Sequence, residues 1–215
     1  FFVHEPSPPH MRAPTQLRDR IRELPGLLRA DRAFTHYFLS RALATMGRMA
    51  TPFYIIHAQD VIGLTGSSIG LLTATFIGAN SIGNLAWGAM ADRTGFRKVF
   101  IASLLLWAAS VVGIIASESL VDFVWAFIGI GAGMGGFQMA SQNMVLEFGN
   151  REDLPMRIAV ANSAQEGVGA LGPLIGGVIA VTAGLNTLYI VSIVFQALAI
   201  LMVLFWVDEP RHRRA

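Results

Sequence analysis

Apolar residues run along this chain in six long blocks, separated by short polar or glycine-containing joints. Each block reaches about 20 residues or more, the length at which an α-helix crosses the hydrocarbon of a bilayer. The pattern predicts membrane helices at about 33–58, 67–91, 97–117, 120–147, 155–181 and 185–207. The third and sixth are almost purely apolar; from Leu188 to Val207 the one strongly polar side chain is Gln196. The other four carry nearly all the remaining amides and charges inside the blocks. A helix that is apolar all round can face lipid, whereas one with intramembrane amides or charges turns them inward. The expectation is therefore two lipid-facing and four interior helices.

Composition supports that class and excludes others. The 215 residues are 53% hydrophobic and 14% charged, with a mean hydropathy of +0.54, against about 25% charged in soluble domains. A net charge of +2 is too small to suggest nucleic acid as a partner. Without cysteine there is no disulfide framework or thiolate metal site, and histidines lack paired metal-ligand spacing, so no metal or cofactor is expected. Ser141 and Ser163 have no Asp/His arrangement beside them. Gly129-x-Gly131-x-Gly133 lies mid-block with neither a preceding strand nor a P-loop lysine. No enzyme is indicated.

The basic residues give the topology. Of 16 Lys and Arg, all but Arg41 and Arg48 lie before the first block, after the sixth, or in or within three residues of the joints between the second and third and between the fourth and fifth. The remaining joints hold Asp60, Glu118 and Asp122 but no Lys or Arg. Six spans with both ends cytoplasmic satisfy the positive-inside rule. The expected location is the plasma (inner) membrane, multi-pass.

Arg41 and Arg48 are seven apart and share one helix face. An arginine at mid-bilayer costs about 2.5–3.5 kcal/mol on the insertion scale. Arg48, about 22 Å along the helix, should meet water, a counter-charge or an anionic substrate; Arg41 is shallower and could snorkel. Pro52 can kink this helix, and Phe53 and Tyr54 either face a cavity or anchor at the interface. In the fourth block Gly129, Gly131, Gly133, Gly135 and Gly136 precede Gln138 and Gln142. Either the amides line a cavity on a gating helix, or glycines and amides serve close helix packing. Glu147 lies among Arg151, Glu152, Asp153 and Arg157, as surface ion pairs or as a gate with Asp92 and Arg97. The fifth block carries Asn162, Gln165 and Glu166, then Gly172, Pro173, Gly176 and Gly177. Glu166, about 16 Å into the helix, is a proton-coupling candidate or a structural partner of Arg41 or Arg48. Asn80 and Asn84 read as helix–helix hydrogen-bonding groups.

The joint between the second and third blocks is Gly88-Ala-Met-Ala-Asp92-Arg93-Thr-Gly95-Phe-Arg97-Lys98. It reads as a tight charged hairpin, with Gly95 supplying a backbone angle that a Cβ resists. It resembles the loop signature of the major facilitator superfamily, roughly G-x-L-A-D-R-x-G-R-R-K, with Met90 for the usual Leu and Phe96 for a basic residue. Gly78, Gly83, Gly88 and Gly95 also lie 89 residues before Gly167, Gly172, Gly177 and Gly184. That offset matches the second helix to the fifth and fits the 3+3 inverted repeat of each half of that superfamily.

The resemblance implies an all-α membrane protein, six transmembrane helices as a 3+3 inverted repeat forming half of such a fold. Residues 1–32 would be a central cytoplasmic linker with a surface amphipathic helix over 17–32, 33–207 the six-helix unit, and 208–215 a basic cytoplasmic tail. Phe1-Phe-Val-His-Glu5-Pro6 echoes Phe205-Trp-Val-Asp-Glu209-Pro210, which suggests that an earlier, similar unit precedes this one. The expected partners are then an N-terminal six-helix half, the lipid bilayer, a small-molecule substrate and, in a coupled transporter, protons. The implied activity is solute transport by alternating access. The first and fourth helices would line the cavity, the second and fifth would contact the other half, and the third and sixth would face lipid. Asp92 in the signature loop would dock on the other half as a conformational gate. The run Gly172-Pro-x-x-Gly176-Gly177 resembles part of an antiporter motif in the same superfamily, with Val168 standing where glycine is wanted. A non-transporting sensor or scaffold, and a half-size homodimer, are the alternatives.

Overall fold

The computed structural model describes Gly26 and residues 31–148 and 154–207. The surface helix expected over 17–32, apart from Gly26, Asp31 and Arg32, lies outside the described residues. So do the tail 208–215 and Arg151, Glu152 and Asp153. The described elements run α1 (Arg32–Met46), a 3-10 turn (Gly47–Ala50), α2 (Phe53–Ile62), α3 (Gly66–Thr94), α4 (Phe96–Ala116), α5 (Leu120–Met144), a second 3-10 turn (Val145–Glu147), α6 (Leu154–Ala183) and α7 (Leu185–Trp206). Among the described residues five helices are long and apolar enough to cross a membrane: α3, α4, α5 with its 3-10 extension, α6 and α7.

The first span differs from its expectation. It is not one helix over 33–58 but two, α1 and α2, separated by the 3-10 turn and by Thr51 and Pro52. Pro52 has no N–H to continue the ladder. The disturbance starts five residues earlier, at Gly47, because tertiary contacts described below stabilise the tighter turn.

Local chemistry sets the helix starts. The Asp31 carboxylate accepts from the Phe34 amide at 3.1 Å and caps α1. Thr65 caps α3 through the Ser68 amide at 3.3 Å. Ser119 and Asp122 form a reciprocal capping box on α5. Gly95 and Gly184 each turn one long helix into the next at nearly the same angles, φ 87° ψ 159° and φ 87° ψ 163°. A positive φ of this size favours glycine.

Glycine-rich α5 is the packing centre, wedged against α3 and α4. Its glycines admit neighbouring backbone: a Cβ on Gly135 would stand 3.0 Å from the Asn80 carbonyl, and one on Gly133 2.9 Å from that of Ser103. Asn80 Nδ2 donates to the Gly131 carbonyl at 3.2 Å and Trp87 Nε1 to that of Ala132 at 2.8 Å. The first span packs on α6 and α7, and α4 also meets α7.

The polarity split does not translate into depth. The most apolar stretches of α4 and α7 are 44% and 39% buried, whereas those of α3 and α6 are only 6% and 11% buried. The nearly uniform helices each turn one face inward, carrying Ser103 and Trp107 on α4 and Tyr189, Ser192 and Gln196 on α7. The more polar α3 and α6 leave broad faces uncovered.

Candidate functional site

Arg41 does not snorkel. It is 2% exposed and turned into the protein. Its Nε donates to Gln165 Oε1 at 2.6 Å, one terminal nitrogen to Asn162 Oδ1 at 2.9 Å, and the other reaches the Tyr37 hydroxyl at 3.5 Å. Tyr37, one turn before Arg41, hydrogen-bonds the Ser141 carbonyl of α5 and stacks on Phe148 with ring centroids 5.0 Å apart. The guanidinium thus joins α1 to α6, and Tyr37 links it on to α5. Every oxygen holding it is neutral. The fork geometry of arginine lets separate nitrogens engage separate amides, which a lysine could not copy.

Glu166 is exposed and makes no hydrogen bond or ion pair among the described residues. It follows Gln165 directly and stands one turn beyond Asn162, so it lies on the same uncovered side of α6 as Asn162. The partner suggested for Arg41 is Glu166; the amides of α6 hold it instead. Arg48 sits in the 3-10 turn, half-buried, with no ion pair among the described residues. Gln138 and Gln142 are exposed, one turn apart on α5, away from its buried glycines. The structure therefore groups Arg41 with α6 and leaves Arg48, Gln138 and Gln142 apart from that cluster.

Gly172 and Gly176 face the break in the first span. A Cβ on Gly176 would lie 2.7 Å from the Met49 carbonyl oxygen, and one on Gly172 3.6 Å from Met49. Pro173 is accommodated inside α6, and Gly177 lies beside Phe53. In the charged hairpin, Gly88, Asp92, Arg93 and Lys98 have open surroundings or exposed side chains. Arg97 reaches across to the end of α7, donating to the Val203 carbonyl at 3.2 Å and to that of Leu204 at 2.9 Å. His36 meets the Trp206 carbonyl beside it at 3.2 Å. A cation at these free carbonyls also complements the helix dipole.

Arg157, 6% exposed, pairs with Asp31 at 2.7 Å and lies 4.8 Å over the Phe34 ring. Burial alone would raise the Asp31 pKa. The Phe34 amide and the Arg157 guanidinium outweigh it and hold the carboxyl below its ordinary value. This pair ties the start of α1 to the start of α6.

Sequence reasoning missed Tyr37, Tyr189 and Ser192. Tyr37 could have been found from its four-residue spacing to Arg41. Tyr189, Ser192 and Gln196 share one face of α7, a weak signal in a helix this apolar.

A family profile described as Major Facilitator Superfamily matches residues 37–215. The chain is also 26% identical over 157 residues to a multidrug resistance protein, MdtG, of Dickeya zeae, an alignment covering 72% of this chain. It spans only 37% of that relative's length.

Proposed function

The chain belongs to the Major Facilitator Superfamily, a family of membrane transporters rather than enzymes, and from that premise we propose that it moves a small solute across the inner membrane by alternating access. The observation that carries this reading is the buried Arg41, held by neutral oxygens where α1 meets α6. A charge at membrane depth is costly, and one without a carboxylate partner marks a functional seam. Arg41 orients the α6 segment bearing Asn162 and Glu166. Glu166, exposed on the uncovered side of α6, is the proton-coupling group, and Arg48, Gln138 and Gln142 contribute to the solute path. The relative's name favours drug-like solutes.

The chain works against a second six-helix unit. The uncovered faces of α3 and α6 and the 37% coverage of the relative favour this arrangement. Each unit is a 3+3 inverted repeat, a reading supported by the matching Gly95 and Gly184 corners and by helix pairs of 29 and 21 residues against 30 and 22. The hairpin with Asp92, Arg93 and Lys98 faces the cytoplasm, as do both ends, and Asp92 docks on the second unit.

Proton-driven flux in proteoliposomes tests this. Glu166→Gln should abolish proton-driven transport while substrate exchange persists; unchanged proton-driven transport would assign Glu166 a structural role. Flux from this chain alone would refute the two-unit arrangement, and absence of flux from the full-length protein with every solute tried would favour a sensor or scaffold.

A further inference from the structure

The break in the first span creates a backbone accounting problem. In a continuous α-helix the Thr51 amide would bond the Gly47 carbonyl. Here it bonds the Arg48 carbonyl at 3.0 Å, the i to i+3 pattern of a 3-10 turn. The Gly47 carbonyl keeps the Ala50 amide inside the 3-10 turn, and its second lone pair is open to a donor from another helix.

That donor comes from α7. Ser192 Oγ donates to the Gly47 carbonyl at 2.6 Å, and the Tyr189 hydroxyl donates to the Phe53 carbonyl at 3.0 Å on the far side of the break. Ser192 is fully buried. Gln196, one turn further along the same face, is also fully buried, and neither polar atom of its amide has a hydrogen-bond partner among the described residues. It lies against Gly47, where a Cβ would come 2.7 Å from its Cγ and 3.2 Å from its Nε2. The Tyr54 hydroxyl lies near both Ser192 and Trp107. The Tyr54 hydroxyl and Trp107 Nε1 are buried without the geometry of a hydrogen bond. The polar face of α7 thus braces both flanks of the break and has hydrogen-bonding capacity to spare.

We propose that Tyr189, Ser192 and Gln196 are positioning residues for the first span: the Ser192 and Tyr189 hydroxyls hold the carbonyls on either flank of the break and favour the bent form over a straightened one. Gln196, packed against Gly47, supports the same turn. Helix α7, which the sequence alone marks as a lipid-facing strut, therefore sets the angle between α1 and α2. This rests on the alternating-access reading, because the bracing matters to function only if the first span changes shape during turnover.

The test uses the full-length protein in nanodiscs, spin-labelled through V61C and V121C, both exposed positions on α2 and α5. Double electron–electron resonance then reads the distance between the outer ends of these helices. Wild type should show two distance populations. Ser192→Ala removes the donor that favours the bent form and should change their ratio about threefold, the effect of an average interhelical hydrogen bond in a membrane bundle. Ser192→Thr, which keeps the hydroxyl, should restore it. Tyr189→Phe should shift the ratio in the same direction and serves if Ser192→Ala fails to fold. Two populations whose ratio neither variant moves would overturn the proposal alone. A single population that no substrate shifts, in protein that still transports, would overturn the moving first span and the alternation reading with it.

Discussion

Gly176 and Gly177 are neighbours on α6 with opposite surroundings, and replacing each by alanine isolates one contact. Both substitutions gain the same intrinsic term, about 0.5–1 kcal/mol for alanine over glycine inside a helix. A Cβ on Gly177 would meet only Phe53 Cζ at 3.8 Å, an ordinary contact. A Cβ on Gly176 would stand 2.7 Å from the Met49 carbonyl oxygen and 3.3 Å from its carbon. Those are backbone atoms of the 3-10 turn, so relief requires α6 and the first span to separate rather than a rotamer to change. Overpacking of this kind costs about 1–3 kcal/mol. Gly177→Ala should therefore be neutral or slightly stabilising, with Gly176→Ala about 1–3 kcal/mol below it. For a unit of this size that corresponds to a midpoint lower by roughly 5 °C. Thermal unfolding in detergent, followed by fluorescence on matched preparations, makes the measurement. Equal midpoints for the two variants would refute the claim that α6 meets the break backbone to backbone.

Arg41→Lys should lower the transport rate about tenfold or more at equal protein level, because one ammonium cannot satisfy Gln165 and Asn162 in the fork geometry and each charged hydrogen bond is worth about 1.5–3 kcal/mol; a rate near wild type would show that only the charge matters. Asp31→Asn should destabilise the protein at neutral pH. The depressed pKa of Asp31 means its contribution is present above the unfolded value near 3.8 and disappears as pH falls through the lower folded value. The gap between wild type and variant, read from unfolding midpoints across pH, should close only in acid. Arg97→Ala should free the last turn of α7, so hydrogen exchange around Val203 and Leu204 should quicken while α5 is unaffected.

The spans were legible because a bilayer imposes length and polarity on them directly. Gly95 announced its corner because few other residues tolerate that backbone angle. The glycines of α5 were visible too, but their role was decided by contact: they admit the backbones of α3 and α4, while Gln138 and Gln142 turn away. The break in the first span was half legible. Pro52 marked a weak point, but the register change begins at Gly47, since its carbonyl finds Ser192 145 residues away. Arg41 is similar: Gln165 lies 124 residues downstream, and no local spacing announces such a pair. The inward face of α7 stayed hidden because two hydroxyls and one amide barely alter the hydropathy of a 22-residue helix.

The grip of Arg97 on the end of α7 orders events during synthesis. Its acceptor at Val203 is made 106 residues later, roughly 5–20 s at ordinary translation rates. Through that interval the guanidinium must rest among headgroups or water, and α7 enters the bundle with its final carbonyls uncapped. Closure of the ring from the charged hairpin to the last helix is thus among the final steps of assembly. A ribosome stalled just short of Val203 would leave a nearly complete bundle whose seam has not been fastened.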